Sequence, residues 1–409
     1  MPTKTINFRH LKLFSEVARL HSINAAAEQN FVTQSALTQA ILKMEKQLGA
    51  DLFQRRHNGM FLTDAGDMFL LRTRRCLNFL DTGVKESQNN RNRSSAKQAL
   101  LHSENMTHVQ LRTLIALQHT TSFSAAAREM NVSQPAVYRA ARDLESLLDM
   151  SLFEKTSHGI ALTKAAKNLT RYVLLAFREL ELAFTELAEL NGSDITHIAI
   201  GSMPLARTIL LPRAIDRLSS LKPDVSISIV DGPYDDLLMR LLNGELDFLV
   251  GALRDPPPST DVEQTAMFDS PLQIAARNGH PLVEQSDIQL SDLAEYSWVL
   301  PRTGTPTRTI FENLIGQHLE SRGGLIECSS QSLIHQLLHN SNRLTFLSSH
   351  QLEQEIQEGR MKALDFSLPG ATRPIGITTR KDWHPTTTQQ LFISIIRNLS
   401  NEMTAAQTH

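Results

Sequence analysis

Cysteine is nearly absent from this chain of 409 residues, which holds only Cys76 and Cys328. Their wide separation leaves no basis for a disulfide framework. Apolar runs are short as well: stretches such as Ile209 to Leu211 fall far below the roughly 20 residues of a membrane-spanning helix. The opening MPTKTINFRH is polar and carries no apolar core of a secretion signal. Secretion is therefore not indicated, no membrane partner is expected, and a reducing cytoplasm is the expected location. Catalytic motifs are missing too: there is no Gly-Lys phosphate loop, no nucleophile elbow and no G-x-G-x-x-G fingerprint. His335 and His339 stand one turn apart on an expected helix, with Cys328 nearby. Yet Gln336 occupies the place where a metalloprotease motif needs Glu, and no further ligand is spaced to complete a set. No metal and no cofactor is expected; a metal-dependent or other hydrolytic enzyme in the C-terminal half is the alternative.

The composition that is present, 41% apolar and 21% charged, is that of a globular protein of two to four domains. An overall charge of −2 conceals a gradient. Residues 1–99 carry 15 Lys and Arg against 8 Asp and Glu, residues 100–192 carry 9 against 10, and residues 193–409 carry 17 against 25. Such asymmetry points to a polyanion as partner of the N-terminal end.

An internal repeat organises the chain. Residues 22–63 and 122–163 match without gaps at an offset of 100, with identities that include Ser22/Ser122, Gln34/Gln134, Glu45/Glu145, Phe53/Phe153, Gly59/Gly159 and Thr63/Thr163. A duplicated unit of this size is a small domain rather than a solenoid repeat. In the first copy, Leu11, Phe14 and Val17 give one apolar stripe on a helix over about 8–20. Ser22 caps a short second helix whose Ala25, Ala26 and Ala27 permit close helix approach, and Asn30 is expected to end it in the left-handed conformation. Thr33 caps a third helix with Leu37, Ile41, Met44 and Leu48 buried and Gly49 as its stop. Its other face presents Gln34, Ser35, Thr38, Gln39 and Leu42. Two helices and a tight turn, the second with short polar side chains outward, fit a helix-turn-helix that enters a major groove, where amides and hydroxyls read base edges. Asn58-Gly59 then supplies a hairpin, a wing whose Arg55 and Arg56 suit phosphate or minor groove. The bland alternative is a three-helix protein-binding module with a merely solvated polar face.

The second copy repeats this with Leu111, Leu114 and Leu117, with caps Ser122 and Ser133, and with Val137, Ala141, Leu144 and Leu148 inward. Outward it shows Gln134, Pro135, Tyr138, Arg139 and Arg142, so a different preferred sequence is expected if both copies bind. Asp149 replaces the stop glycine, and Lys155-Thr156 replaces the arginine pair. Between the copies, Ser87 to Lys97 reads as a flexible linker or frayed helix end. After the second wing, Leu169, Val173, Phe177, Leu180, Phe184 and Leu187 form a coiled-coil stripe over about 164–190, whose regularity favours self-association as a dimer. The matching segment after the first wing reads as shorter and interrupted by Arg72, Arg74 and Arg75.

From Ile195 short apolar strands alternate with helices, which predicts a mostly parallel sheet with ligand groups at the carboxyl ends of the strands. Ser202, Met203, Gly251, Thr303, Thr305, Ser330 and Gln331 are the candidate cleft residues, and helix N-termini among them favour an anionic ligand.

In both copies the order of cap, alanines, Ser/Thr-Gln, Leu-Phe and Leu-Thr resembles the winged helix-turn-helix of LysR-type transcriptional regulators; Ser133-Gln134-Pro135-Ala136-Val137 is the closer match. Leu210-Leu211-Pro212 and Asn243-Gly244-Glu245-Leu246-Asp247 resemble that family's two-lobed effector domain, which is similar to a periplasmic binding protein. The resemblance implies a multidomain fold. Two tandem all-α winged helix-turn-helix units (6–66 and 106–163) stand with a helix and polar linker (67–105) and a linker or dimerisation helix (164–192). An α/β two-lobed effector domain follows (195–405, lobe I about 195–267 and 370–405, lobe II about 268–369). It also implies sequence-specific binding of double-stranded promoter DNA, control by a small-molecule co-inducer between the lobes, homo-dimers or homo-tetramers, RNA polymerase as partner, and a nucleoid-associated cytoplasmic location. DNA contacts are then expected from Thr33, Gln34, Ser35, Thr38, Gln39, Arg55 and Arg56, and from Ser133, Gln134, Pro135, Tyr138, Arg139, Arg142 and Lys155. A solute-binding protein is the other alternative for the C-terminal half. Two DNA-binding units per chain depart from the family pattern.

Overall fold

The structure, a computed structural model, describes residues 6–57, 59–88, 105–192, 196–319 and 324–406. Asn58 and all of the expected polar linker beyond Gln88 lie outside the described residues. The chain divides into two compact units, Met1–Thr196 and His197–His409.

In the first unit, copy one comprises α1 (Phe8–Leu20), α2 (Ile23–Gln29), α3 (Gln34–Leu48), β1 (Phe53–Arg56), β2 (Gly59–Leu62) and α4 (Asp64–Gln88). Copy two repeats it as α5 (His108–His119), α6 (Phe123–Met130), α7 (Gln134–Leu148), β3 (Phe153–Thr156), β4 (Gly159–Leu162) and α8 (Lys164–Leu190). The apolar stripes predicted for α1, α3, α5 and α7 are buried, and Gly49 and Asp149 both end their helices in the left-handed conformation. Two local expectations are corrected. Asn30 is not left-handed; the residue with positive φ is Phe31 (52°), because Asn30 spends its amide on the carbonyl of Ala26 and stays near the helix. Ser133 occupies the cap position but makes no side-chain cap bond, since Pro135 in the first turn has removed one of the N–H groups such a cap would serve.

The two copies pack on each other through α4 and α8. Ser87 Oγ donates to the Ala165 carbonyl at one end, and Arg72 reaches Glu179 and Glu186 at the other, so the helices run antiparallel. Apolar residues of both copies merge into one core. This corrects three expectations. The stripe on α8 does have a partner, but α4 of the same chain supplies it. At 25 residues α4 is almost as long as the 27 of α8, and Arg72 does not interrupt its face but is fully buried within it.

Among the described residues the second unit carries one nine-stranded sheet. Its N-terminal part pairs β5 (His197–Ser202) in parallel with β6 (Ser226–Asp231) and β7 (Phe248–Ala252); α9 (Leu211–Leu221) and α10 (Tyr234–Leu242) connect them. Next comes β8 (Val262–Arg277), long enough to serve two lobes. In the second lobe, α11 (Leu290–Ala294), β9 (Trp298–Leu300), α12 (Pro306–Leu314), β10 (Leu325–Glu327), α13 (Gln331–His339), β11 (Leu344–Ser348), α14 (Ser349–Gln357) and β12 (Met361–Ala363) follow in order. The chain returns through β13 (Thr372–Arg380) and α15 (Thr387–Ala406). The sheet is mixed, not mostly parallel: β8 and β13 pair antiparallel with each other, β13 with β7, and β8 with β11 and β12. The reason is that both crossing strands return between lobes directly rather than through a helical crossover.

Candidate functional site

Each winged head is built by the same few bonds. Ser22 and Ser122 accept the N–H of Ala25 and Ala125, both at 3.2 Å, which sets the entry of the second helix. Glu45 Oε1 accepts the backbone N–H of Leu52 (2.9 Å) and Phe53 (3.3 Å); Glu145 does the same for Leu152 (2.8 Å) and Phe153 (3.1 Å). A buried-side carboxylate therefore ties the foot of each recognition helix to the start of its wing. At the wing tip the N–H of Met60 donates to the His21 carbonyl (2.9 Å) and that of Ile160 to the Thr121 carbonyl (2.8 Å). Glycine is required there. Gly59 and Gly159 have positive φ (140° and 118°), and an added Cβ would lie 2.6 Å and 2.3 Å from those same carbonyl oxygens.

What this scaffold presents differs between copies. On α3, Gln34, Ser35 and Gln39 are exposed, Thr38 is half-buried with its hydroxyl donated to the Gln34 carbonyl (2.9 Å), and Leu42 is 58% exposed. Thr33 accepts the Ala36 N–H and is also exposed. On α7, Ser133, Gln134, Pro135, Tyr138, Arg139 and Arg142 are all exposed. Arg142 pairs with Glu145 and lies 5.2 Å over the Tyr138 ring, whose edge meets Phe123, so this face is more pre-ordered than that of α3. Arg55, Arg56 and Lys155 are exposed on the wings, with Arg56 5.2 Å over the Phe61 ring. Phe31, not among the expected contact residues, is 96% exposed in the turn that leads into α3. A bare aromatic in a helix-turn-helix turn was its available signal.

In the second unit the candidate cleft residues fall into two groups. Ser202, Met203 and Gly251 meet on the first lobe: the Met203 N–H donates to the Val250 carbonyl (3.1 Å), and a Cβ on Gly251 would lie 2.5 Å from that of Met203. Ser202 is fully buried, with its hydroxyl 3.5 Å from the Met203 carbonyl. On the second lobe, Thr303 donates to Glu327 (2.7 Å) and so holds that carboxylate below its ordinary range, while Thr305 and Ser330 cap α12 and α13. Gln331 donates to the Gln351 carbonyl (3.1 Å) at the start of α14, and α14 touches a turn of π-helix at Ala206–Leu210 on the first lobe. A hollow of about 660 Å³ beside Arg254 and Pro374 is lined by none of these seven residues.

Two arginines missed in the sequence join the lobes. Arg254 lies 4.4 Å over the Tyr234 ring and donates to the Gly304 carbonyl (2.7 Å). Arg373, on β13, is 9% exposed and donates to Thr307 at the start of α12 and to Gln351 Oε1 (3.1 Å). Its Nε has no partner, and among the described residues no carboxylate pairs with it. Burial pushes its pKa down to about 10, which leaves it charged near neutrality. Beside it His350, held toward its neutral form by burial, lies 3.2 Å from the Ser270 hydroxyl. His335 pairs with Glu355 (2.8 Å), and among the described residues no group of three metal-ligating side chains gathers. No helix among them is long and apolar enough to cross a membrane.

Comparison with known proteins accords with both halves of this geometry. The profile of the bacterial regulatory helix-turn-helix protein, lysR family, matches twice, at residues 8–67 and 108–167, and that of the LysR substrate binding domain matches residues 191–400. The HTH-type transcriptional regulator GalR of Pseudomonas putida is 32% identical over 91% of this chain and 92% of its own. A full-length OxyR variant from Pseudomonas aeruginosa shares the fold with a TM-score of 0.54 at 23% identity, over 72% of this chain and 98% of its own. Full-length CbnR in complex with its target DNA does so with a TM-score of 0.50 at 20% identity, over 72% and 99%. Nearly all of each solved neighbour is thus matched by part of this chain, which is longer. The chain belongs to the LysR family of DNA-binding transcriptional regulators with an effector-binding domain.

Proposed function

We propose that the chain reads promoter DNA with both winged heads and that a small anionic co-inducer, held between the lobes of the second unit, controls this reading. The observation that carries the effector half is Arg373, a buried cation with two neutral partners and an unbonded Nε. A buried charge without a counter-ion is costly, and a ligand carboxylate would complete it through charge-assisted hydrogen bonds. The N-termini of α12 and α14, which supply Thr307 and Gln351, favour the same charge. Ser202, Met203 and Gly251 on one side and Thr303, Thr305, Ser330 and Gln331 on the other are the proposed contacts for the rest of the ligand. On DNA, the outward residues of α3 and α7 read base edges, while Arg55, Arg56 and Lys155 hold phosphate. In this assignment 6–66 and 106–163 are the heads, 67–105 and 164–192 carry them, and 195–405 binds the effector. The protein works in the cytoplasm on the nucleoid, passes its signal to RNA polymerase, and performs no catalytic step. Homo-dimers or homo-tetramers form through surfaces other than the buried face of α8. Thermal-shift screening of the full chain against sugars, aromatic acids and aliphatic carboxylates tests this. Carboxylates should stabilise the wild type, leave Arg373→Gln unshifted, and alter binding to the chain's own upstream region. Stabilisation by neutral sugars alone, with an equal response in Arg373→Gln, would contradict the reading.

A further inference from the structure

Equivalent residues meet where the two copies touch. Phe8 and His108, which differ by the repeat offset of 100, stack on each other with ring centroids 4.6 Å apart and planes 7° from parallel. Residues related by a half-turn come face to face in this way only on the rotation axis itself. The antiparallel helices agree. Gly83 on α4 receives Tyr172 of α8, and the mate of this contact under the same rotation joins position 72 to position 183, where Arg72 spans Glu179 and Glu186, one turn to either side. The heads are therefore related by an approximate half-turn, the symmetry that a DNA duplex itself possesses and that paired half-sites exploit.

The pairing is nevertheless between unlike helices. A Cβ added at Gly83 would stand 2.6 Å from the Cβ of Tyr172, and the equivalent residue on α8 is Ala183, so two copies of α8 would collide at this point. They would also bury Glu179 and Glu186 without a guanidinium, because position 172 holds Tyr where α4 has Arg72. Two copies of α4 would place Arg72 against Phe79 and Glu86 in place of the two glutamates it now bonds. Each like pairing thus carries a clash or an incomplete buried ion pair, and the unlike pairing carries neither.

We infer that one chain is a complete two-headed reader whose α4–α8 pair always couples one recognition helix of each kind, so that its operator consists of two different half-sites facing each other about a dyad. The faces differ at four of five outward positions: Ser35 against Pro135, Thr38 against Tyr138, Gln39 against Arg139 and Leu42 against Arg142, with Gln34 and Gln134 in common. The half-sites consequently share a feature read by glutamine and differ beyond it, where arginines on the second copy favour guanine. This rests on the reading that the heads bind DNA.

The test is selection of binding sites from a random duplex pool by the purified full chain. Wild type should enrich pairs of unlike half-sites at one fixed separation. The variant Thr38→Tyr/Gln39→Arg/Leu42→Arg, whose changes lie on the outward face of α3, should turn the first half-site toward the second and enrich an inverted repeat at the same separation. An inverted repeat already enriched by wild type, or single half-sites with no fixed neighbour, would overturn the inference while leaving DNA binding intact. Failure to enrich any duplex would remove the DNA-reading assignment itself and the inference with it.

Discussion

The two winged heads have kept the same internal bonds and changed what they show. The wing-to-turn bond differs by only 0.1 Å between copies, and the glutamate that ties helix to wing keeps both of its amide partners. Their outer faces and the helices that carry them have diverged instead: α3 presents amides and hydroxyls, α7 presents Arg139 together with Arg142 over Tyr138, and Arg72 of α4 corresponds to Tyr172 of α8. Bonds internal to a head are constrained by its own fold, whereas a face that meets DNA or the other copy is constrained only by what it meets. Divergence at the second kind of surface turned a repeat into a pair of complementary parts.

Breaking the pairing face should produce the largest effects. Arg72→Ala leaves Glu179 and Glu186 buried without a counter-ion and should cost about 3–5 kcal/mol in the denaturation of the first unit. Although burial opposes its charge, bonds to both glutamates hold the Arg72 guanidinium above its ordinary pKa. Removal of the exposed Arg19, paired with Glu16 on the outer surface, should cost far less. Next comes Gly83→Ala, which overpacks against the Cβ of Tyr172 and should cost about 1–3 kcal/mol, and less when introduced into a Tyr172→Gly background that lacks this Cβ. Both are read from denaturant midpoints of the full chain.

Smaller effects should separate the wings. The slope of log affinity against log salt should fall by about 2 in Arg55→Ala/Arg56→Ala and by about 1 in Lys155→Ala, if each side chain neutralises one phosphate. The least effect concerns pH. Burial lowers the pKa of His10, His108, His280, His335 and His350 below the ordinary 6.5. The unfolded chain then binds protons that the folded chain refuses, so stability present above about pH 6.5 is lost as pH falls below it. His108→Phe should reduce that loss in the first unit and keep the ring stack on the axis.

Much of this was legible in the sequence because it is local. The caps Ser22, Ser122 and Thr33 and the helix stop Gly49 depend on neighbours a few residues away, and the repeat offset alone places both wings. Arg72 was misread because a cation within an apolar stripe looks like an interruption until its acids are seen; Glu179 and Glu186, seven residues apart on one face of α8, were the signal. Arg373 gave none. It precedes a proline in an ordinary strand, and its lack of a counter-ion among the described residues arises only when β13, α12 and α14 converge from distant parts of the chain. Asn30 was assigned the left-handed position by type, and the bond to Ala26 that moved this role to Phe31 is a matter of competing local geometry.

Hydroxyl-radical footprinting of the full chain on its own upstream region, with Gln34→Ala/Gln39→Ala set beside Arg139→Ala/Arg142→Ala, tests the paired heads most directly. Each variant should lose protection over a different half of one continuous footprint and retain the other half. Loss of the same half in both, or full protection retained in both, would contradict the account.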